Sequence, residues 1–281
     1  MPELPEVEVL KRYLAPLVKG KKIASVEVRR DKVITPTSRD ALTQVLTGAR
    51  FSHIERRGKY LLFEFCKNRK SVTVLGHLGM TGRMYLQDEK APLAKHAAVI
   101  LHLGTCRFVY EDPRYFGRFT LDTSPVNSLG PEPLSKDFTP TAFTEKLRRS
   151  SQAIKIKLLN QSLVAGIGNI YASEALYRAH LSPRRAARRL TREEIQRLWR
   201  CIRAVLSEAI HWGSTIPLGF DGSGKADGLF YFGTASDAPQ YYHERLRVYD
   251  RASQPCEQCG EKIKRLTQAA RSTYYCPQCQ K

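Results

Sequence analysis

The sequence has no run of 18 apolar residues, so no membrane-spanning helix is expected. It has no basic-then-apolar stretch near its start, so no secretory leader is expected and the cytoplasm is the predicted compartment. It has no internal repeat, which argues against solenoids and propellers. Acids are scarce: 27 Asp and Glu stand against 46 Lys and Arg, a formal charge of +19. A solvated basic surface would more usually be balanced by acids, and this excess suits a polyanion as partner. Hydrophobic residues make up 42% of the 281, which excludes a disordered chain. The length suggests about two domains.

What is present falls into zones. Residues 5–18 read as a helix with Val7, Leu10, Leu14, Leu17 and Val18 on one face and Lys11 and Arg12 off it, stopped by Gly20. From 23 to 121 the pattern is β. Short runs such as KIASVEVRR, KYLLFEF, SVTVLGHLG, AAVILHL and RFVYEDPRYFGRFTLD are rich in β-branched and aromatic residues and predict a sandwich or barrel. Residues 122–140 are rich in Pro, Ser and Gly and read as a linker.

Beyond the linker the period is helical. Thr139-Pro140 is a helix start. TREEIQRLWRCIRAVLSEAIHW opens with a capping box, Thr191 and Glu194, and lines Ile195, Leu198, Trp199, Ile202, Val205, Leu206 and Ala209 along one face. Its early turns and the preceding loop hold Arg184, Arg185, Arg188, Arg189, Arg192, Arg197 and Arg200 against only Glu193 and Glu194, which tilts the charge run toward phosphate. Residues 213–240 form a long loop with six glycines, and loops of that length are commonly functional.

Cys256-x-x-Cys259 and Cys276-x-x-Cys279, sixteen residues apart, offer four thiolates at two knuckles. That is the donor set of tetrahedral Zn²⁺ with no open position, hence one structural zinc holding a short β-ribbon. Disulfides are the alternative, and no secretory signal supports them. Lys262, Lys264, Arg265 and Arg271 make the ribbon basic. In the centre, AIKIKLLNQSLVAGIGNIYASEALYRAHLSP joins two short helices through a turn with Gly166 and Gly168. Asn169 suits the N-cap of the second helix, whose free amides would form a phosphate site with Lys155 and Arg178 nearby. An ordinary helical hairpin explains the segment equally well.

The opening MPELPEVE permits two readings. One is a Pro-started helix with acids in its first turn. The other is a trimmed terminus: loss of Met1 would free the secondary amine of Pro2 beside Glu3 and Glu6.

Four features in order, PELPEVE, HLGMTGR at 77–83, GIGNIYASEALY at 166–177 and the four-cysteine finger, resemble the formamidopyrimidine-DNA glycosylase family over nearly the whole chain. The resemblance implies an α+β multidomain fold. Residues 1–121 would be an N-terminal β-sandwich with a long N-terminal helix, and 122–140 a linker. Residues 141–244 would be a helix–two-turn–helix DNA-binding domain with a lesion-capping loop at 213–240, and 245–281 the zinc finger. DNA would lie between the domains. It implies Pro2 as a Schiff-base nucleophile and Glu3 as its acid/base partner. Glu6 would hold the helix terminus or the sugar, Lys59 the DNA beside the lesion, and Arg271 would serve the last elimination. Met80, Arg114 and Phe116 would fill the void left by a flipped base, Arg114 reading the orphaned partner. His96, Lys155, Asn169 and Arg271 would touch phosphates.

Three departures stand out. Tyr115 occupies the place of a second arginine in DPRYFG, so one phosphate contact is expected to be absent. KHAAV at 95–99 lacks an Asp and a second His. The middle of 216–243 is altered and lengthened. The expected function is a bifunctional glycosylase/AP lyase of base-excision repair that removes 8-oxoguanine and formamidopyrimidines from damaged double-stranded DNA by β,δ-elimination. The protein would act as a monomer in a bacterial-type cytoplasm. An endonuclease VIII-like enzyme for oxidised pyrimidines and a non-enzymatic damage-binding protein are the alternatives.

Overall fold

The computed structural model describes residues 2–213 and 245–281. Gly213, where the 213–240 loop is expected to begin, still closes a helix, and the rest of that loop and the altered stretch at 216–243 lie outside the described residues. The described chain forms two compact units. One comprises Pro2 and Glu6–Asn127, the other Glu3–Pro5, Ser128–Trp212 and residues 245–281.

The first unit is a β-sandwich of two antiparallel four-stranded sheets. Strands β1 (Ser25–Val28), β6 (Ala97–His102), β7 (Cys106–Glu111) and β5 (Arg83–Asp88) form one, in that spatial order. Strands β2 (Arg50–Arg57), β3 (Tyr60–Lys67), β4 (Lys70–His77) and β8 (Arg118–Thr120) form the other. The alternation that predicts strands also builds the core. Leu61, Phe63 and Phe65 of β3 point inward. Phe63 meets Phe108 of β7 at 5.5 Å and Phe119 of β8 at 5.6 Å, centroid to centroid. Each ring or aliphatic side chain so buried contributes roughly 1.5–3 kcal/mol over exposure.

The segment RFVYEDPRYFGRFTLD, one run in the sequence pattern, is two strands in different sheets. Residues 112–117 carry the chain from β7 to β8. The all-β reading of 23–121 also overlooked helix α2 (Arg39–Leu46). Ser38 caps it, Oγ accepting from Ala41 N at 3.2 Å, and Leu42 and Leu46, one turn apart, are its buried face.

Helix α1 (Leu4–Val18) buries Val7, Leu10, Leu14 and Val18 as its spacing predicts. Leu17 is 40% exposed and falls off that face. Pro16 stands in the last turn, where its missing N–H leaves the Arg12 carbonyl without the usual helix bond, two residues before the helix ends.

The second unit is helical, with a β-hairpin at its end. Thr139 caps α3 (Pro140–Arg148), accepting from Ala142 N at 3.2 Å. Short helices α4 (Ile154–Leu159) and α5 (Asn169–Arg178) frame the helix–two-turn–helix motif. Helix α6 (Arg192–Gly213) opens with the capping box in both directions: Thr191 N donates to Glu194 Oε2 at 2.8 Å and Glu194 N to Thr191 Oγ1 at 3.3 Å. Its apolar face is buried, and Trp199 donates Nε1–H to the Phe138 carbonyl at 2.7 Å. Strands β9 (Lys264–Gln268) and β10 (Arg271–Tyr275) pair antiparallel around the two-residue turn Ala269–Ala270. No helix among the described residues is long and apolar enough to cross a membrane.

Candidate active site and zinc centre

Glu3 follows Pro2 directly and is buried, 1% exposed. Its carboxylate accepts from Gly168 N at 2.7 Å, Ile170 N at 2.9 Å and Tyr171 N at 3.4 Å. These are the orphan amides at the start of α5, where the helix favours a negative charge. The expectation that they await a phosphate is thus overturned, because Glu3 occupies them. The N-cap is Gly168 rather than Asn169. A Cβ at Gly168 would sit 2.3 Å from the Glu3 Cδ, so only glycine lets the carboxylate come this close. Gly166 (φ +84) shares this constraint: its carbonyl accepts from Leu4 N at 3.1 Å and a Cβ there would strike Leu4 at 2.6 Å.

Lys155, Asn169 and Arg271 come together at the first residues of β10. The Ser272 carbonyl accepts from Lys155 Nζ at 3.1 Å and from Asn169 Nδ2 at 2.8 Å, immediately after Arg271. Lys155 Nζ also reaches Thr273 Oγ1 at 2.9 Å. Lys155, expected on a phosphate, is 0% exposed and its ammonium is engaged by the ribbon, so it serves β10 rather than solvent. Burial pulls it down to about 7, with Glu3 working upward and Arg271 downward. Arg271 is exposed. It follows Ala269 (φ +45) and Ala270 (φ +58), two left-handed residues with side chains, which is a strained way to turn a hairpin.

The four cysteines converge as their spacing predicts. Their Sγ atoms all lie within 4.8 Å of one another, with Cys256–Cys279 at 3.8 Å and Cys259–Cys276 at 3.4 Å. Zinc–sulfur bonds of about 2.3 Å in a tetrahedron set sulfurs ~3.8 Å apart, so the donor set fits one structural Zn²⁺. Gly260 N donates to the Cys256 carbonyl at 2.8 Å and Gln280 N to that of Cys276 at 3.1 Å, closing the two knuckles. Tyr177 of α5 places its hydroxyl 3.2 Å from Cys256 Sγ.

In the first unit, Met80 and Phe116 are the exposed large hydrophobics beside Leu17, at 42% and 49%. The turns that carry them are tied by Asp112, which is fully buried. It accepts from Thr81 Oγ1 at 2.6 Å, Gly117 N at 2.9 Å and Arg114 N at 3.2 Å. A Cβ at Gly79 would meet Gly117 N at 2.6 Å, so the two turns touch backbone to backbone. The Arg114 guanidinium lies 4.7 Å from the Phe116 ring centroid. Met80, Arg114 and Phe116 therefore form one cluster. His96 stands beside it, its carbonyl accepting from Asp112 N at 3.1 Å and its Nδ1 lying 3.3 Å from Tyr115 Oη.

Lys59 sits in the two-residue β2–β3 turn after Gly58 (φ +58). Its charge acts on His77, at the end of β4. Burial first, then Lys59 and Arg118, push that imidazole down to about 4, with Asp112 opposing. The ring is neutral at pH 7. Glu6 lies in the first turn of α1 and is buried.

Two buried carboxylate anchors carry no role in the sequence reading. Asp112 stands inside RFVYEDPRYFGRFTLD with none assigned to it. Glu174, inside GIGNIYASEALY, is fully buried and accepts from the amides of Arg247 at 2.9 Å, Val248 at 3.0 Å and Tyr249 at 2.8 Å. The available signal was an acid inside a helix whose neighbours, Ile170 to Tyr177, are otherwise apolar or small. Of the seven arginines around the start of α6, two are engaged internally: Arg185 with Glu194 at 2.6 Å and Arg197 with the Ala179 carbonyl at 2.8 Å.

Known proteins share this arrangement. Residues 1–119 match the formamidopyrimidine-DNA glycosylase N-terminal domain, 129–218 the formamidopyrimidine-DNA glycosylase H2TH domain, and 253–281 a zinc finger found in FPG and IleRS. A formamidopyrimidine-DNA glycosylase of Symbiobacterium thermophilum is 41% identical across all of this chain and 89% of its own length. One of Listeria monocytogenes is 38% identical, with both chains fully covered. The crystal structure of Lactococcus lactis Fpg with DNA containing N7-benzyl-Fapy-dG superposes with a TM-score of 0.87 at 33% identity, covering 100% of both chains. The complex of the same protein with abasic-site DNA gives 0.86 at 34%, covering 99% of both. Full-length identity of this order, together with the sandwich, the Glu3-capped helix pair and the four-sulfur ribbon, makes the chain a member of the formamidopyrimidine-DNA glycosylase family.

Proposed function

We propose that removal of Met1 frees Pro2 and that its secondary amine is the nucleophile of this enzyme. The chain is a DNA glycosylase with AP lyase activity that removes oxidised purines, as its family does. In this reading residues 1–121 are the catalytic domain, 141–244 the helical DNA-binding domain and 245–281 the finger. The partner is damaged double-stranded DNA, bound by a monomer in the cytoplasm.

The observation that carries the assignment is the Glu3 carboxylate, fixed on three amides of α5 in the residue after Pro2. A free α-amino group titrates near ~8, so a useful fraction is neutral at pH 7. Its lone pair forms the N–C1′ bond as the glycosidic bond breaks, and the base leaves with that electron pair and takes a proton from water. The amine gives its own proton to the Glu3 carboxylate, which passes it to O4′ as the sugar opens, leaving an iminium between Pro2 N and C1′. Loss of a C2′ proton then expels the 3′ phosphate, and a second elimination, served by Arg271, expels the 5′ phosphate. Glu6 and Lys59 hold the sugar and strand beside the lesion. Met80, Arg114 and Phe116, clustered by Asp112, fill the void left by the flipped nucleotide. Asn169 and His96 hold phosphates, and Lys155 acts indirectly through the ribbon.

Borohydride trapping on duplex DNA with 8-oxoguanine, followed by peptide mapping, tests this. The expected result is a covalent adduct at Pro2. An adduct with abasic DNA alone would keep the lyase chemistry and redirect substrate choice toward oxidised pyrimidines. No adduct with either would leave a damage-binding protein.

A further inference from the structure

Tyr115 has φ +52, the left-handed region that a bulky side chain seldom occupies. Strain of this kind persists where the surroundings impose it, and it concentrates at binding and catalytic sites. Here Asp112 imposes it. Tyr115 N donates to the Asp112 carbonyl at 3.2 Å, while the Asp112 carboxylate holds the amides on either side, Arg114 and Gly117.

The forced turn brings the Tyr115 phenol to two groups from distant parts of the first unit. Arg30, just past β1, donates Nε–H to the phenol oxygen at 3.1 Å, and its guanidinium carbon lies 5.4 Å from the ring centroid. His96, before β6, has Nδ1 3.3 Å from the same oxygen. Two neighbouring arginines of the 27–39 segment are paired: Arg29 holds Glu27 at 2.6 Å and Arg39 holds Asp31. Arg30 has no carboxylate partner among the described residues and is exposed. Its Nη groups remain as a fork suited to two phosphate oxygens. The same segment extends Lys32 to 5.4 Å from the Phe116 ring, so uncompensated positive charge borders the exposed face of this turn.

We propose that Arg30, Tyr115 and His96 form a phosphate-binding site that grips the DNA backbone beside the Met80–Arg114–Phe116 cluster. The cation of this site comes from Arg30, past the end of β1, with the Tyr115 phenol as its rest. Arg30 supplies the charge, Tyr115 orients the guanidinium by stacking and hydrogen bonding, and His96 adds a ring N–H. This inference rests on the DNA-repair reading above.

The test is fluorescence anisotropy of the full chain on a duplex carrying a tetrahydrofuran abasic analogue, which is not turned over, across a salt series. Arg30→Ala should weaken binding roughly five- to tenfold and lower the salt slope by about 1. Tyr115→Phe should weaken it less, and should have almost no effect in the Arg30→Ala background, as expected for coupled groups. Arg29→Ala, which removes a charge already paired with Glu27, should leave the slope near wild type. Melting temperatures should match for all five proteins, since Arg29 and Arg30 are exposed and Tyr115→Phe keeps the ring that packs against the core. A steep wild-type salt dependence shared unchanged by Arg30→Ala would overturn this site alone. Equal losses in Arg29→Ala and Arg30→Ala would also overturn it, by showing general charge rather than a built site. A wild type with no salt dependence would overturn the DNA reading and this site together.

Discussion

The carboxylate of Glu3 and the amide of Gly168 lie 2.7 Å apart, although 165 residues separate them in the chain. The contact caps α5 and, in the reaction proposed above, orients its acid/base group. Sequence distance hides it, and the absence of a Cβ at Gly168 makes it possible.

Gly168→Ala should therefore do more than a surface helix-cap change. The added methyl would collide with the Glu3 carboxyl and push it off the three amides. We expect stability to fall by about 1–3 kcal/mol, through lost cap bonds and strain, and base release to fall far more than DNA binding. Retention of full glycosylase activity would separate the Glu3 cap from catalysis.

Glu174→Gln keeps the shape but replaces an acceptor-only group with one that carries two N–H donors. Three backbone amides face it, so at least one N–H must oppose another. The cost should be about 1–3 kcal/mol in unfolding free energy. Burial raises the Glu174 carboxyl above the usual range, opposed by the three amides and Arg178. Hydrogen exchange at 247–249 is the direct readout, and unchanged protection there would refute the anchor role.

Removing zinc, by chelation or Cys276→Ser, should release the ribbon and with it the Ser272 carbonyl that engages Lys155 and Asn169. DNA binding should be lost while the sandwich keeps its structure. Circular dichroism and anisotropy on one sample would check both, and undiminished binding would contradict the role given to the finger.

His77 gives a pH signature of known sign. Folding holds its imidazole at about 4 against 6.5 for an ordinary histidine, by burial and then by the charges of Lys59 and Arg118. The unfolded chain takes up a proton below 6.5 while the folded chain does not. The stability this group contributes is complete above about 6.5 and declines as pH falls toward about 4. Comparing wild type with His77→Gln across that window should reveal a difference on the order of 3 kcal/mol. Parallel curves would remove His77 as the cause.

The turn Ala269–Ala270 holds both residues at positive φ, where Asn-Gly is the natural pair. Replacing both, Ala269→Asn with Ala270→Gly, should stabilise the zinc-loaded hairpin by about 1 kcal/mol. A thermal-shift measurement decides it, and a lower melting temperature would mean that the alanines are held by contacts the turn geometry does not reveal.

Much of this protein is local in origin and therefore legible in its sequence. The capping box at Thr191 and Glu194, the Thr139 cap, the alternation of Leu61, Phe63 and Phe65 and the two Cys-x-x-Cys knuckles each depend on residues a few positions apart, where spacing alone sets geometry. The approach of the knuckles to one another also followed, because only four thiolates together satisfy one zinc. Helix α2 was missed because its eight residues carry only two buried leucines within a β-rich stretch. What only the tertiary structure decided are the long-range polar contacts. They include Glu3 on the α5 amides, Lys155 and Asn169 on Ser272, Glu174 on 247–249, Asp112 between two turns, and Arg30 on Tyr115. A buried carboxylate or ammonium must find partners, but its own neighbours in sequence do not say which, because the backbone amides and carbonyls that satisfy it are the same in every residue. Only the fold chooses among them.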